Sequence, residues 1–268
     1  MDNAAMTSPI LVTGGTGTLG QHLVPRLREA AGLDLRVLSR HSHESGDGIE
    51  YVTGDLFKGE GIEPAVAGAG IIVHCAGGRK GDDEATRNLV QAASRAGVQH
   101  IVYISVIGAD RVPLAYFGSK LGAERAVAES GLPWTTLRAA QFHDVVLTVV
   151  EKAAKLPVVP IPGGLRFQPV DPSEVAARLV ELTLDKPAGL VPDLAGPKVY
   201  GMADLVRSYL RARGKHRLLV PVRMPGRAGR AYRAGENLSE EPGTGHRTWE
   251  DFLAERVSRP DDSRSGPA

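Results

Sequence analysis

The chain has 268 residues, 42% of them apolar, which is enough to bury a full hydrophobic core. Its 32 basic and 31 acidic residues give a net charge of +1, so electrostatics supply no reason to expect a nucleic acid or a membrane as partner. The single cysteine, Cys75, excludes an internal disulfide, and no apolar run approaches the roughly 18 residues of a membrane span. With scattered histidines and no signal-peptide pattern in residues 1–8, we expect a cytoplasmic protein without a metal site.

A glycine-rich turn near the start is the most informative stretch. The apolar run Ile10–Thr13 is followed by Gly14, Gly17 and Gly20 and then by an amphipathic segment, a pattern typical of a strand, a tight turn and a helix. Gly14 would allow the sharp turn, Gly17 the close approach of a pyrophosphate, and Gly20 the packing of the helix on the strand. The pattern predicts a dinucleotide site at the positive end of the helix, rather than glycines that serve packing alone.

The end of the second predicted strand indicates which dinucleotide binds. A site that prefers NAD usually carries an acidic residue there, which accepts the ribose 2′-hydroxyl. Here Ser39 and Arg40 offer a hydroxyl and a guanidinium, which suit a 2′-phosphate. We therefore expect NADP to be preferred over NAD. The alternative is that Arg40 is a solvated loop charge.

Strands and helices alternate along the first 140 residues. Further strands are predicted at 49–53, 71–75, 100–105 and 134–138, and Asp82 and Asp83 are predicted to cap the helix between the fourth and fifth strands. The alternation predicts an α/β fold, a doubly wound parallel sheet of the Rossmann type with a smaller C-terminal substrate lobe. Asp55, Ala76 and Gly77 follow strands at the edge where such sheets bind their ligands.

Proline and glycine become frequent after residue 140, and the alternation is lost. We expect residues 1–140 to form the dinucleotide-binding domain, rejoined by residues 166–198, in which a return strand near Phe167 precedes a helix from Pro172 to about Leu184. Residues 141–165 and 199–257 are predicted to form the smaller lobe, with helices at 202–213 and 248–257. Residues 258–268 are predicted to be a disordered tail.

Three side chains make a candidate catalytic group. Tyr116 and Lys120 are four residues apart on a predicted helix and therefore share one face, and Ser105 ends the preceding strand. A phenol is a poor acid at neutral pH, and an adjacent ammonium lowers its pKa by favouring the phenolate. The group could thus deliver a proton to a substrate oxygen that Ser105 binds. The alternative is that Tyr116 and Lys120 only mark an amphipathic helix.

The glycine spacing, Asp55-Leu56, Ser105 and Tyr116-x-x-x-Lys120 resemble the short-chain dehydrogenase/reductase superfamily. The glycine spacing and Leu137-Arg138-x-x-Gln141-Phe142 resemble its atypical NmrA-like NAD(P)-binding branch. The resemblance implies that Tyr116 is the general acid, that Lys120 binds the nicotinamide ribose, and that Asn88 organises a proton-relay water. Some NmrA-like members lack the Tyr/Lys pair and act as regulators. The predicted cofactor-binding residues are Gly14, Thr16, Gly17, Thr18, Leu19, Gly20, Ser39, Arg40, Asp55, Leu56, Ala76, Gly77 and Lys120.

The substrate is expected to be an apolar small molecule with a carbonyl or quinone group, because aliphatic and proline residues dominate the smaller lobe. The arginines at 223, 227, 230 and 233 are either a diphosphate-binding cluster or a solvated helix face. The predicted substrate-binding residues are Val106, Phe142, His143 and Phe167.

The leading hypothesis is an NADPH-dependent reductase. The alternatives are a non-catalytic NADP(H)-sensing regulator and an epimerase that uses bound cofactor. The sequence leaves the substrate and the oligomeric state open, and it leaves His74 and Cys75 as packing residues.

Overall fold

A computed structural model describes residues 8–32, 34–78, 80–240 and 245–258. In chain order the strands and helices are β1 Ile10–Thr13, α1 Thr18–Ala31, β2 Leu35–Ser39, β3 Ile49–Thr53, α2 Ile62–Val66, β4 Ile71–His74, α3 Asp82–Ala96, β5 His100–Val106, α4 Ala115–Ala128, β6 Trp134–Ala139, α5 His143–Ala154, β7 Val158–Pro162, β8 Arg166–Phe167, α6 Pro172–Leu184, β9 Gly189–Leu190, β10 Tyr200–Gly201, α7 Met202–Ala212, β11 Leu218–Val222, α8 Gly226–Ala234 and α9 Trp249–Ser258. The predicted tail lies outside the described residues, apart from Ser258.

The central sheet runs in the order β3-β2-β1-β4-β5-β6-β9, and every neighbouring pair is parallel. Its central strands β1 and β5 are buried along their whole length, as expected for a parallel sheet covered on both faces. Helices α1 and α6 pack against each other, as do α3 and α4. The predicted doubly wound α/β fold is confirmed.

The chain divides into two compact units. Unit 1 comprises residues 1–139 and 172–194, and unit 2 comprises residues 140–171 and 195–268. The chain passes from one unit to the other at 139/140, 171/172 and 194/195. From the sequence we expected these boundaries near residues 140, 166 and 198. Unit 1 contains the central sheet, and unit 2 contains the small sheets β8–β10 and β7–β11.

The predicted return strand near Phe167 was wrong. Arg166 and Phe167 form the short β8, which pairs antiparallel with β10 in unit 2 instead of joining the central sheet. Pro169 lacks a backbone N–H and Pro172 starts α6, so the chain has no room for a longer strand there. The chain rejoins the central sheet through β9, which pairs with β6.

Two other details concern helices. Pro25 lies inside α1, which nevertheless continues from Thr18 to Ala31. The predicted capping by Asp82 was wrong, because Gly81 occupies the N-cap position with a φ of 82° and Asp82 is the first helical residue. The Asp82 carboxylate is therefore available for other contacts.

Unit 2 has its own apolar core. Helices α5, α7 and α9 contribute Val150, Leu205, Trp249 and Phe252, all of them buried, and Val159 of β7 joins them. The predicted helices at 202–213 and 248–257 are confirmed to within a residue as α7 and α9. Among the described residues, no helix is long and apolar enough to cross a membrane.

Candidate functional site

The site in unit 1 lies where the strand order of the sheet reverses. The chain proceeds outward from β1 to β2 and β3, then crosses to β4 on the other side of β1. The segments after β1 and β4 therefore diverge, and they leave a cleft at the carboxyl ends of these strands, the usual ligand position in open α/β sheets. The cleft has a volume of about 480 Å³.

The three glycines of the first turn differ in what surrounds them. Gly14 has a φ of +71°, and a Cβ there would lie 2.6 Å from the Ala76 backbone nitrogen. A Cβ at Gly20 would clash with the carbonyl of Gly14, so Gly20 permits α1 to pack close to the turn. A Cβ at Gly17 would approach only the Gly14 oxygen, at 3.3 Å. A side chain at Gly17 would thus be crowded only by the turn itself, and a glycine here keeps the backbone N–H groups of the turn accessible, as pyrophosphate binding requires.

Most of the predicted cofactor-binding residues line this cleft. Four do not: Thr18, Leu19 and Gly20 lie in the first turn of α1, and Lys120 contacts the lining residue Asp82. Those in the lining are Gly14, Thr16, Gly17, Ser39, Arg40, Asp55, Leu56, Ala76 and Gly77. The structure adds lining residues that the sequence did not single out: Thr13, Leu38, Gly54, Phe57, Cys75, Gly78, Lys80, Gly81, Asp82 and Ala85.

The buried side chain of His74 connects segments beside the cleft through hydrogen bonds. The Thr86 hydroxyl donates its one hydrogen to the Asp82 carbonyl at 2.6 Å, so it accepts from His74 Nε2 at 3.0 Å. His74 Nδ1 then accepts from the Thr13 hydroxyl at 2.7 Å, and that hydroxyl accepts from the Ala76 N–H. Burial lowers the pKa of His74 to about 3, so the ring stays neutral. The His74 ring, at the end of β4, thus connects the end of β1 with the beginning of α3.

A buried ion pair closes one end of the cleft. Lys120 Nζ lies 2.9 Å from Asp82 Oδ2, and the two side chains are only 8% and 5% exposed. Asp82 Oδ1 also accepts from the Gly78 N–H at 2.6 Å. A Cβ at Gly77, which lines the cleft, would lie 2.9 Å from Lys120 Nζ, so the ammonium lies directly beside this part of the lining.

Lys120 also lies above an aromatic ring. Its Nζ is 5.4 Å from the centre of the Tyr103 ring, a cation–π distance. Burial, and then the charge of Asp82, raise the pKa of the Tyr103 phenol well above its usual value. The Tyr103 hydroxyl is therefore protonated at neutral pH, and it is buried without a hydrogen-bond partner among the described residues.

The other predicted catalytic residues differ in exposure. Tyr116 is 38% exposed in the first turn of α4, one helical turn before Lys120, and its ring meets Phe117 edge-on. Ser105 lies in β5, and its buried hydroxyl has no hydrogen-bond partner in the part of the chain that the structure describes. Asn88 donates to the Leu56 carbonyl at 2.8 Å, which ties α3 to the loop after β3.

The residues expected to recognise the adenosine half, Ser39, Arg40 and Asp55, also belong to the lining. The Ser39 hydroxyl accepts from the His41 N–H at 3.2 Å. Arg40 is exposed, and within the described part of the chain it forms no ion pair or hydrogen bond. The Asp55 carboxylate accepts from the Phe57 N–H at 2.9 Å and shapes the loop after β3. A free guanidinium at the cleft is what a 2′-phosphate would require.

The predicted substrate-binding residues are distributed over both units. Val106 lies at the buried end of β5 in unit 1. In unit 2, His143 is fully buried, with ring centres 5.0 Å from Phe252 and 5.9 Å from Trp249. Phe142 and Phe167 keep part of their surface accessible, and Phe167 packs against Tyr232.

The Asp82–Lys120 pair is the feature that sequence reasoning missed. An acidic residue at the start of a helix has a sufficient local explanation in the helix dipole, and the spacing from Asp82 to Lys120 has no period that relates them. Gly81 occupies the N-cap position, so Asp82 is already helical and its carboxylate contacts Gly78 and Lys120 instead of capping the helix.

Comparisons with known proteins identify the family. The family described as NAD(P)H-binding matches residues 14–183. An uncharacterised protein of Mycobacterium tuberculosis is 30% identical over 177 residues, 64% of this chain but only 19% of that protein. A (4-alkanoyl-5-oxo-2,5-dihydrofuran-3-yl)methyl phosphate reductase of Streptomyces griseus is 28% identical over 77% of this chain and 74% of its own. An Escherichia coli NADPH-dependent quinone oxidoreductase complexed with NADPH superposes with a TM-score of 0.79, at 20% identity, over 92% of this chain and 99% of its own.

Proposed function

Because the chain belongs to the NAD(P)H-binding family, as its resemblance to the short-chain dehydrogenase/reductase superfamily led us to expect, we propose that it is an NADPH-dependent reductase. Its substrate would be an apolar small molecule with a carbonyl or quinone group, and Tyr116 would be the general acid. The observation that carries the proposal is the cleft itself, whose lining includes Gly14 and Gly17 of the first turn and Asp82, the partner of the buried Lys120 ammonium.

The chain offers a donor for each anionic part of the dinucleotide. The backbone N–H groups of the turn and the positive end of α1 would hold the pyrophosphate. Arg40 would bind the 2′-phosphate, and Lys120 would donate to the hydroxyls of the nicotinamide ribose. Bound NADPH would supply the hydride.

The proton would come from Tyr116. Its partial exposure lets the phenol regain a proton from solvent after each turnover, and the ammonium of Lys120 one helical turn away favours the phenolate that remains. The buried Ser105 hydroxyl has an unused hydrogen for the substrate oxygen. With the hydride that bound NADPH would supply, the phenol proton of Tyr116 would complete the reduction of a ketone to an alcohol.

Substitution of Tyr116 by Phe tests the proposal. The change removes one hydroxyl, so folding and NADPH binding should survive while the chemical step slows by roughly 10² to 10⁴. Single-turnover oxidation of NADPH, followed with a panel of ketones and quinones, would measure the step. Tyr51→Phe is the matched control, since Tyr51 lies in β3 and is partly accessible. Hydride transfer at the parent rate in Tyr116→Phe would refute the assignment of the acid.

A second candidate, an NADP(H)-sensing regulator, is favoured by one observation. The carboxylate of Asp82 already compensates the charge of Lys120, which weakens the field of the ammonium at Tyr116. In a sensor, the pair would report occupancy of the cleft and no proton transfer would be needed. Micromolar or tighter NADPH binding, combined with no oxidation by any member of the panel, would favour this candidate.

A further inference from the structure

The small sheet β7–β11 of unit 2 has one apolar face that stays largely accessible in the part of the chain that the structure describes. The two strands run parallel with Leu218 beside Val158 and Val220 beside Pro160. Alternate residues, among them Val159 and Ile161, turn inward to the apolar core of unit 2. The side chains on the other side, which we term the outer face, are Val158, Pro160, Leu218, Val220 and Val222.

The outer face is exposed and contains no polar side chain. Leu218 is 64% exposed, and Val158, Val220 and Val222 are each 38–44% exposed. The outward side of a solvated sheet normally carries polar residues, so a contiguous apolar face of this kind marks an interaction surface.

Cations adjoin this face. A groove at its beginning is lined by Lys155, His216 and Arg217 together with Leu218, and Arg223 follows directly after Val222. Residues 205–235 contain eight arginines, one lysine and no acidic residue, so the near-neutral net charge of the chain conceals a strongly basic segment. Arg223, Arg227 and Arg230 are exposed, which agrees with a solvated surface.

A partner of the outer face must suit both its apolar side chains and the basic side chains beside it. A two-fold symmetric dimer through this face would place the basic side chains of one copy against the same basic side chains of the other copy. A nucleic acid would pair with the cations but would leave the aliphatic side chains of the outer face in water. An anionic bilayer satisfies both, since aliphatic side chains enter the boundary between headgroups and acyl chains while Lys and Arg meet the lipid phosphates. We propose that the outer face docks on an anionic lipid bilayer.

Cosedimentation of the full chain with vesicles tests the proposal. Vesicles of phosphatidylcholine alone are compared with vesicles containing 30% phosphatidylglycerol, at about 0.1 M and 0.5 M salt. The protein should bind only the anionic vesicles, and high salt should release it. Leu218→Ser/Val220→Ser and Lys155→Gln/Arg223→Gln should each weaken binding at least tenfold. Leu184→Ser is the matched control, because Leu184 is 42% exposed in α6 of unit 1.

Four results would overturn the proposal. The parent protein could stay in the supernatant with anionic vesicles at low salt, or Leu218→Ser/Val220→Ser could bind as tightly as the parent. Sedimentation velocity could show a dimer that this variant dissociates, which would assign the face to self-association. Alternatively, a DNA duplex could compete with the vesicles and bind Leu218→Ser/Val220→Ser undiminished. The charge variant keeps both strands intact and remains informative if the apolar variant fails to fold.

Discussion

Replacement of Asp82 by Asn should destabilise the protein strongly. The substitution leaves the Lys120 ammonium buried at 8% side-chain exposure without its counter-ion, 2.9 Å from an amide. Removal of one partner from a buried pair costs roughly 3–5 kcal/mol. The amide oxygen of the substituted side chain can still accept from the Gly78 N–H. We therefore expect a loss of unfolding free energy at the lower end of this range, about 3 kcal/mol. For a protein of this size that corresponds to a fall of about 6–12 °C in melting temperature.

Asp83→Asn is the matched control. The same change occurs one residue on, where the partner Arg87 is 51% exposed and Asp83 itself is 34% exposed. An exposed pair of this kind contributes about 0–1 kcal/mol. Thermal and urea unfolding of both variants at pH 7 would therefore separate the effect of burial from that of charge removal.

A double-mutant cycle with Lys120→Met completes the test. If the two side chains act as a pair, Asp82→Asn/Lys120→Met should be less destabilised than the sum of the single variants, because no buried charge remains uncompensated. The reasoning is refuted if Asp82→Asn melts within 1–2 °C of Asp83→Asn, or if the effects of the two single substitutions add.

Three further predictions concern other residues. Arg40→Ala should reduce the ratio of NADPH affinity to NADH affinity about ten- to a hundredfold in calorimetric titrations. Equal affinities of the parent protein for NADPH and NADH would contradict the role of Arg40. Burial raises the pKa of the Cys75 thiol to about 12, although the residue is partly accessible, so it should alkylate slowly at pH 7.5 and Cys75→Ala should cost little stability. Burial also lowers the pKa of His100 to about 4, so its contribution to stability is complete above pH 6.5 and is lost as the pH falls towards 4. His100→Gln should reduce the slope of unfolding free energy in that window by about 1.4 kcal/mol per pH unit, and an unchanged slope would be the contrary result.

The first half of unit 1 could be predicted because its signals are local. The glycines of the first turn act on the backbone within a few residues, and β1, β4 and β5 are apolar runs of ordinary length. The short strand β9, with only Gly189 and Leu190, has no period to detect. Its place in the central sheet depends on hydrogen bonds to β6 that no local pattern encodes.

The small sheet of unit 2 was missed for a related reason. β7 contains Pro160 and Pro162, which would ordinarily argue against a strand. Proline is tolerated here because each strand of a two-stranded sheet has a free edge that needs no donors. The pairing of β7 with β11 joins segments far apart in the chain, and the apolar outer face emerges only from that register.

The Tyr-x-x-x-Lys motif predicted that Lys120 shares a helix face with Tyr116. It gave no information about the counter-ion of Lys120. An ammonium neutralised by Asp82 acts on a nearby phenol more weakly than a free one, so the motif alone does not separate a reductase from a sensor. The two candidates differ in what NADPH must do at this point. If ribose hydroxyls share Lys120 with Asp82, cofactor binding redistributes the hydrogen bonds of the ammonium, and Asp82→Asn should then alter NADPH affinity as well as stability. If only stability changes, Lys120 holds the end of the cleft together and takes no part in binding the nucleotide.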